Sequence, residues 1–479
     1  MCEKWPDFGE KHWLDVHREE WIDDLTSLLK IPSLSQKCCP ESSQPFGKEC
    51  AEALDRALAI AQKYGLEVQC HQYYCGTAVL RGTQPALGEI GIFLHLDVVP
   101  PGEGWQYPPF EAVRKDGYII ARGSRDNKGA AIAALYALRY LREKGISLKH
   151  NVRLFFGCNE ELGMEDIQYY LKSHEEPVFS LVPDSPFPVC YGEKGVIDLK
   201  IKESRRGSKN VLCSLKGGIA INQVPDLAEA TLQADGEWMS LEEKEISVTK
   251  EKEKFHVKAH GRAAHSAYPE GSDNAVVKLA KYLKDSGVLE EDELNWMEFI
   301  VNYFDSAYGE NLGIASANTE GDRLTCVVTM MNVSENEFQA SINIRYPAHE
   351  AGELICRKLQ EKMGEAGISI EEMSDNPGYC LDRNYQLINI LNDIVCRRLG
   401  MEKQPYIAKG GTYARKLTHP AVGFGPNQPG RHPFGPGKGT GHLPDEAVSI
   451  SELETAMMIY AQALPAIDNY LKNYEEEDR

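Results

Sequence analysis

Six side chains that can bind metals or move protons stand where a predicted strand ends or a predicted helix begins. Because the carboxyl ends of strands in an open parallel sheet form the crevice in which ligands bind, we expect these side chains to lie close together. Carboxylates crowded in this way repel one another unless cations lie between them. The pattern therefore predicts a site for divalent metal ions. The six residues are His95, Asp97, Asp126, Glu160, Glu161 and Asp184.

Taken singly, each of these positions has an ordinary structural explanation. His95 and Asp97 lie two residues apart and share a face, where a carboxylate can orient a metal-binding imidazole, but a histidine can also simply finish a strand. Asp126 precedes an alanine-rich segment and is suited to capping a helix. The pair Glu160-Glu161 is also compatible with a solvated turn. The coincidence of all of them favours the metal site over the separate explanations.

A histidine in a glycine-rich segment is a further candidate ligand. His442 lies in the segment 439–446 (GTGHLPDE), where glycines allow the backbone to approach a site closely. By itself it is better explained as an ordinary loop histidine than as a ligand, and His419 and His432 are neighbouring alternatives.

The elements that position these residues alternate between helices and strands. Apolar residues recur at helical spacing in some segments, while others are short apolar runs that end in polar residues. This alternation predicts an α/β fold built on a doubly wound, mostly parallel sheet. The predicted helices cover residues 13–30, 48–64, 127–144 and 384–399, and the predicted strands cover 89–99, 151–157 and 178–182.

The pattern changes after residue 191. Strand-like runs mixed with helices extend to about residue 375, which predicts an inserted α+β domain at 192–375. Residues 1–191 and 376–479 are then two parts of one domain.

Composition narrows the class of protein. The 479 residues carry a formal net charge of −20, which argues against nucleic acid or anionic membranes as partners. No run of about 18 apolar residues is present, and the first 13 residues lack the apolar core of a signal peptide. The 13 cysteines include no CxxC pair and fit reduced thiols. We therefore expect a cytoplasmic protein.

Four ordered motifs resemble those of the M20 metallopeptidase family. They are residues 95–100 (HLDVVP), 123–129 (GSRDNKG), 159–161 (NEE) and 184–188 (DSPFP). The last is followed by residues 192–195 (GEKG), and this combination is most similar to the bacterial dipeptidase V branch. The similarity extends along nearly the whole chain.

The resemblance implies a catalytic domain with two divalent metal ions per chain. Asp126 would bridge them, His95 and Asp184 would complete one site, and Glu161 and His442 would complete the other. Zinc is the first expectation, with manganese or cobalt as alternatives. The bond between Asp126 and the next residue is expected to be cis.

The resemblance also implies an activity. Asp97 would orient His95, and Glu160 would act as general base toward a metal-bridging water. The expected enzyme is a metallo-dipeptidase that hydrolyses the amide bond of short unblocked peptides. The longer insert, interpreted as a lid that covers the site within one chain, predicts a monomer.

The resemblance assigns substrate-binding groups as well. In the insert these include an arginine, whose planar fork is suited to a substrate carboxylate. A second group lies in the loop 410–415. The residues are Asn222, His265 and Arg345, and then Gly411, Thr412 and Arg415.

Three alternatives remain open on the sequence. The first is an N-acyl amino acid deacylase or desuccinylase of the same family, with similar active-site carboxylates. The second is a catalytically inactive binding protein on this fold. The third is a site with one metal rather than two.

Overall fold

The structure is a computed structural model that describes residues 9–206, 210–233, 243–316, 322–428, 434 and 437–477. The chain divides into two units. Unit 1 consists of Met1–Gly192, Leu381–Ala408 and Thr412–Arg479. Unit 2 consists of Glu193–Cys380 and Lys409–Gly411. The sequence placed the boundaries at 191/192 and 375/376 and did not foresee that Lys409–Gly411 belongs to unit 2.

Helices and strands alternate through most of the described chain. The helices are α1 (Glu10–Leu29), α2 (Lys48–Lys63), α3 (Lys128–Glu143), α4 (Glu165–Leu171), α5 (Ala275–Asp285), α6 (Glu291–Phe304), α7 (Gly352–Ala366), α8 (Gln386–Leu399) and α9 (Ile450–Glu477).

The strands are β1 (Glu67–His71), β2 (Cys75–Leu80), β3 (Glu89–His95), β4 (Val113–Lys115), β5 (Tyr118–Ile120), β6 (Asn151–Gly157), β7 (Phe179–Val182), β8 (Ser185–Pro186), β9 (Cys190–Glu193), β10 (Gly195–Ser204), β11 (Leu212–Gly217), β12 (Gln223–Val224), β13 (Leu227–Gln233), β14 (Ile246–Glu251), β15 (Lys254–His260), β16 (Ala264–His265), β17 (Thr325–Val333), β18 (Glu337–Tyr346), β19 (Ser369–Asn376), β20 (Tyr379–Cys380), β21 (Tyr406–Ala408), β22 (Ala421–Gly423), β23 (Pro426–Asn427) and β24 (Ala447–Ser449).

The main sheet of unit 1 has a parallel centre and antiparallel flanks. Its neighbouring strands follow the order β1, β2, β6, β3, β7, β22 and β9. Strand β3 pairs in parallel with β6 and β7, and β22 pairs in parallel with β7. The pairs β1–β2, β2–β6 and β22–β9 are antiparallel. This confirms the α/β class predicted from the sequence and places the parallel part where β3, β6 and β7 end together.

Apolar faces of helices and strands form one core in unit 1. Helix α3 is buried along nearly its whole length, which explains its run of alanines and leucines, and α9 packs against it. Burying an aliphatic side chain contributes about 1.5–3 kcal/mol, so this core holds the ends of the strands in fixed positions.

Unit 2 has the α+β character predicted for the insert. Eight strands form one antiparallel sheet in the order β14, β15, β13, β11, β17, β18, β10 and β19. Helix α5 packs against β13, β15 and β17, and side chains of α5, α6 and α7 join the core of this unit. In the described part of the chain, none of the helices is long and apolar enough to cross a lipid bilayer.

Candidate metal centre

Three neighbouring strands of unit 1 carry acidic or imidazole side chains at their carboxyl ends. His95 is the last residue of β3, Glu160 and Glu161 follow β6 by three and four residues, and Asp184 follows β7 by two. Asp126 lies just before α3. Because β3 pairs in parallel with both β6 and β7, these ends meet at one edge of the sheet.

The structure brings the five predicted ligands together in two groups that share Asp126. In the first group, Nε2 of His95 lies 3.0 Å from Oδ1 of Asp126 and 3.7 Å from Oδ2 of Asp184. In the second, Nε2 of His442 lies 3.2 Å from Oδ2 of Asp126 and 2.9 Å from Oε1 of Glu161. Asp126 thus presents one carboxylate oxygen to each group. Within each group, the candidate ligand atoms lie within 4.8 Å of one another.

The charges of this cluster favour cations. Hydrogen bonds to the carboxylates of Asp126 and Glu161 raise the pKa of His442 to about 11, while burial raises the pKa of Glu161 to about 7. Burial opposes protonation of His95, but hydrogen bonds to Asp126, Asp184 and Asp97 raise its pKa well above the ordinary value. Glu161 and the two imidazoles therefore bind protons more readily than usual, and divalent cations could take the place of these protons. Carboxylate oxygen and imidazole nitrogen are donors suited to zinc, manganese or cobalt, so the residues present fit two such ions.

Glu160 lies beside the cluster with its side chain buried. One of its oxygens falls within 4.8 Å of ligand atoms of His95 and Glu161. Burial, together with the charges of Asp184, Glu161 and Asp126, raises the pKa of Glu160 well above its ordinary value, and His95 opposes this shift. A carboxyl group in this environment holds its proton more readily than an exposed glutamate does.

Asp97 acts mainly on the turn that carries the two glutamates. Its fully buried carboxylate accepts hydrogen bonds from the amides of Glu160 (3.2 Å) and Glu161 (3.0 Å). The Nδ1–H group of His95 donates to the backbone carbonyl of Asp97 at 3.0 Å, while the Asp97 carboxylate is 3.5 Å from the same nitrogen. His95 is therefore oriented chiefly by the backbone carbonyl of Asp97.

A second buried acid holds the preceding half of the same turn. One oxygen of Asp166, in α4, accepts hydrogen bonds from the amides of Cys158 (2.7 Å) and Asn159 (2.8 Å). The hydroxyl of Tyr413 donates to the same oxygen. Four successive amides, from residue 158 to residue 161, are thus fixed by two carboxylates. Asp166 lies in none of the motifs named from the sequence, and Tyr413 lies in the loop 410–415 but was not among the residues predicted there.

Capping does not explain Asp126. The residue at the N-cap of α3 is Asn127, and its side chain makes no capping hydrogen bond; the Nδ2 group of Asn127 donates to the carbonyl of Pro183 instead. The bond between Asp126 and Asn127 is cis, as expected. Of the alternatives to His442, His419 donates from Nδ1 to the carbonyl of Pro177, and His432 lies outside the described residues.

The predicted substrate-binding residues of the insert are linked to one another within unit 2. The amide of Ser266 donates to the carbonyl of Asn222, and Gln223 pairs with His265 between β12 and β16. The hydroxyl of Ser266 and the Nε group of Arg345 both donate to Oδ1 of Asn343, at 2.6 and 3.0 Å. Asn343, which was not among the predicted site residues, therefore connects these residues.

The loop at 410–415 is divided between the units. Gly411 belongs to unit 2, while Thr412 and Arg415 belong to unit 1. The hydroxyl of Thr412 accepts a hydrogen bond from the amide of Ala414 and caps a short 3₁₀ helix at Tyr413–Lys416. Arg345 donates from Nη1 to the carbonyl of Lys409.

An α/β unit with this cluster at its strand ends is the architecture of a metallopeptidase, and the chain belongs to peptidase family M20/M25/M40. The sequence profile of that family matches residues 91–466. The predicted family is confirmed.

Two bacterial relatives are similar over almost their whole length. The chain is 29% identical over 462 residues to the protein named "Putative dipeptidase YtjP" of Bacillus subtilis, covering 93% of this chain and 97% of the relative. It is 27% identical to a "Putative dipeptidase" of Staphylococcus epidermidis, with 94% and 97% covered.

Solved structures share the fold at lower sequence identity. The M20 family metallo-carboxypeptidase Sso-CP2 from Sulfolobus solfataricus aligns with a TM-score of 0.59 at 17% identity, covering 93% of this chain and 98% of that one. Human carnosine dipeptidase 1 aligns with a TM-score of 0.57 at 13% identity, with 96% and 98% covered.

Proposed function

We propose that this protein is a two-metal-dependent dipeptidase that hydrolyses short unblocked peptides. The observation that carries the proposal is the position of Asp126, which presents Oδ1 to His95 and Oδ2 to His442. A single carboxylate placed between two sets of ligands is what a pair of bridged cations requires.

Five residues would hold the cations. Asp126 would bridge them, with His95 and Asp184 on one side and Glu161 and His442 on the other. Bound divalent cations supply Lewis acidity, which polarises a scissile carbonyl and makes a water molecule more acidic. The cluster geometry, the donor set and membership of the family support this assignment.

Glu160 would move the proton. The turn anchored by Asp97 and Asp166 holds this glutamate at the edge of the cluster. Its carboxylate would accept the proton of the attacking water and return it to the leaving amine. The raised pKa of Glu160, caused first by burial, supports a group that can hold a proton between these two events.

The substrate assignment depends on the relatives and on Arg345. The two bacterial relatives are named as dipeptidases, which supports a dipeptide as the first choice. Arg345 would bind the substrate carboxylate through its planar fork, and His265 would stabilise the oxyanion. We also propose the dipeptidase V branch, zinc as the metal, a cytoplasmic location and a monomer.

A substrate panel tests the proposal. Chelated protein is refilled with Zn²⁺, Mn²⁺ or Co²⁺ in turn and offered one dipeptide in three forms: free, N-acetylated and N-succinylated. Glu160→Gln protein, prepared in parallel, controls for contaminating peptidases. We expect metal-dependent cleavage of the free form and little cleavage of the others.

The panel also separates the alternatives. Faster cleavage of an N-acylated form would assign the chain to the deacylases instead. Metal-loaded protein that cleaves none of the three forms would favour a binding protein.

A further inference from the structure

A buried ion pair lies directly behind the candidate metal centre. Nη1 of Arg122, two residues after β5, lies 2.6 Å from Oε2 of Glu446, just before β24. The Arg122 side chain is 1% exposed and that of Glu446 is 0% exposed. Strands β5 and β24 pair with each other, so the ion pair has a fixed frame.

Glu446 holds the backbone of the shared ligand. Its other oxygen, Oε1, accepts hydrogen bonds from the amides of Arg125 (2.9 Å) and Asp126 (3.1 Å). Hydrogen bonds from amides to a carboxylate are among the stronger ones in proteins. Because Asp126 presents an oxygen to each ligand group, the position of its backbone decides how both oxygens point.

Arg122 holds the backbone of a ligand in the second group. Its Nη2 group donates to the carbonyls of His442 and Pro101, both at 3.2 Å. The guanidinium also lies 5.2 Å from the centre of the Trp105 ring, which restricts its orientation. A pair of opposite charges thus connects the backbones of His442 and Asp126.

We propose that Arg122 and Glu446 are positioning residues that set the distance between His442 and Asp126, and thereby the affinity for the second cation. The inference rests on the proposed two-metal site. The second group depends more on the pair, since both Asp126 and His442 are held through it, whereas the first group shares Asp126 but has His95 at the end of β3 and Asp184 just after β7. Loss of the pair therefore weakens the cation beside Glu161 and His442 more than the one beside His95 and Asp184.

The test is a Zn²⁺ titration of full-length protein against a competing chromophoric chelator. Removing one partner would leave an uncompensated buried charge, so the main variant is the double change Arg122→Met/Glu446→Gln. Glu446→Gln alone is the second variant, because it keeps an oxygen that can accept the Asp126 amide. His442→Ala serves as the reference for direct loss of the second site.

We expect wild-type protein to bind two Zn²⁺ ions per chain. In both variants the stronger site should be retained and the weaker site should lose about 10- to 100-fold in affinity, the usual cost of removing a group that orients a ligand. As in His442→Ala, affinity should be lost at the weaker site and kept at the stronger one. Thermal unfolding of metal-free protein is recorded for each variant.

The control removes a different buried pair in unit 1. Nδ1 of His150 lies 2.8 Å from Asp468, at the end of β6 opposite to Glu160, so Asp468→Asn perturbs stability without touching the cluster. Unchanged affinity for the second ion in both variants, or an equal loss in Asp468→Asn, would overturn the inference while leaving the proposed function in place. A wild-type chain that binds fewer than two ions would overturn the proposed function itself.

Discussion

Asp97→Ala is the substitution that best tests how the glutamate turn is held. The Asp97 carboxylate accepts the amides of Glu160 and Glu161 at 3.2 and 3.0 Å from a fully buried position. Alanine leaves both amides without this acceptor.

The magnitude follows from two hydrogen bonds to a charged acceptor. Each contributes about 1.5–3 kcal/mol, so their joint loss corresponds to about 3–6 kcal/mol. Removing one negative charge from an acidic cluster relieves repulsion and offsets part of this cost. We therefore expect Asp97→Ala to lower the free energy of unfolding by about 3 kcal/mol. Asp97→Asn keeps one acceptor oxygen and should lose about half as much.

The assay is urea unfolding of chelated protein, followed by far-UV circular dichroism. Asp23→Ala, at an exposed position of α1, is the matched control and should stay within about 0.5 kcal/mol of wild type. After refilling with metal, Asp97→Asn should keep the first metal site, because His95 donates to the backbone carbonyl of Asp97. Its turnover should fall, because Glu160 is displaced.

Two outcomes would contradict this reasoning. An Asp97→Ala protein as stable as the Asp23→Ala control would show that the carboxylate does not hold the turn. Selective loss of the first metal in Asp97→Asn would show that the side chain, rather than the carbonyl, orients His95.

Three further predictions concern catalysis, substrate capture and pH. Glu160→Gln should lose about 10²- to 10⁴-fold in kcat while binding both metals, and retained turnover in metal-loaded protein would remove Glu160 from its role. Arg345→Ala should raise KM for dipeptides with a free carboxylate, and an equal loss on the C-terminal amide would contradict that assignment. Burial lowers the pKa of Lys128 to about 7, and its Nζ donates to two backbone carbonyls. Between about pH 7 and the ordinary lysine pKa of 10.5, the unfolded chain keeps a proton on Lys128 that the folded chain has released. The free energy of unfolding should therefore rise with pH between these two values. From about pH 6.5 to about pH 9.5, chelated wild-type protein should gain about 3 kcal/mol relative to Lys128→Met, and a parallel pH dependence of the two proteins would refute the shift.

The members of the ligand cluster at strand ends could be predicted from a local pattern and one rule of topology, whereas His442 was expected as a ligand only from the family resemblance. His95 and Asp184 come at or just after the ends of short apolar strands, and the parallel pairing of β3 with β7 brings such ends together. The parallel centre of the sheet and the α+β character of the insert also follow from the order of the predicted elements.

The groups behind the ligands could not be predicted in this way. Arg122 and Glu446 are 324 residues apart in the chain and meet only because β5 pairs with β24. Tyr413 and Asp166 are 247 residues apart. Single polar residues at such separations carry no periodicity, so their contacts appear only once the tertiary structure is known. Glu446, four residues after His442 in the segment 439–446, offered the one local signal.

Anomalous diffraction from zinc-soaked crystals of the wild-type protein tests the central claim most directly. We predict two peaks at the zinc absorption edge, one beside His95 and Asp184 and the other beside Glu161 and His442, with Asp126 between them. A single peak, or zinc bound elsewhere while dipeptide cleavage persists, would contradict the two-metal account.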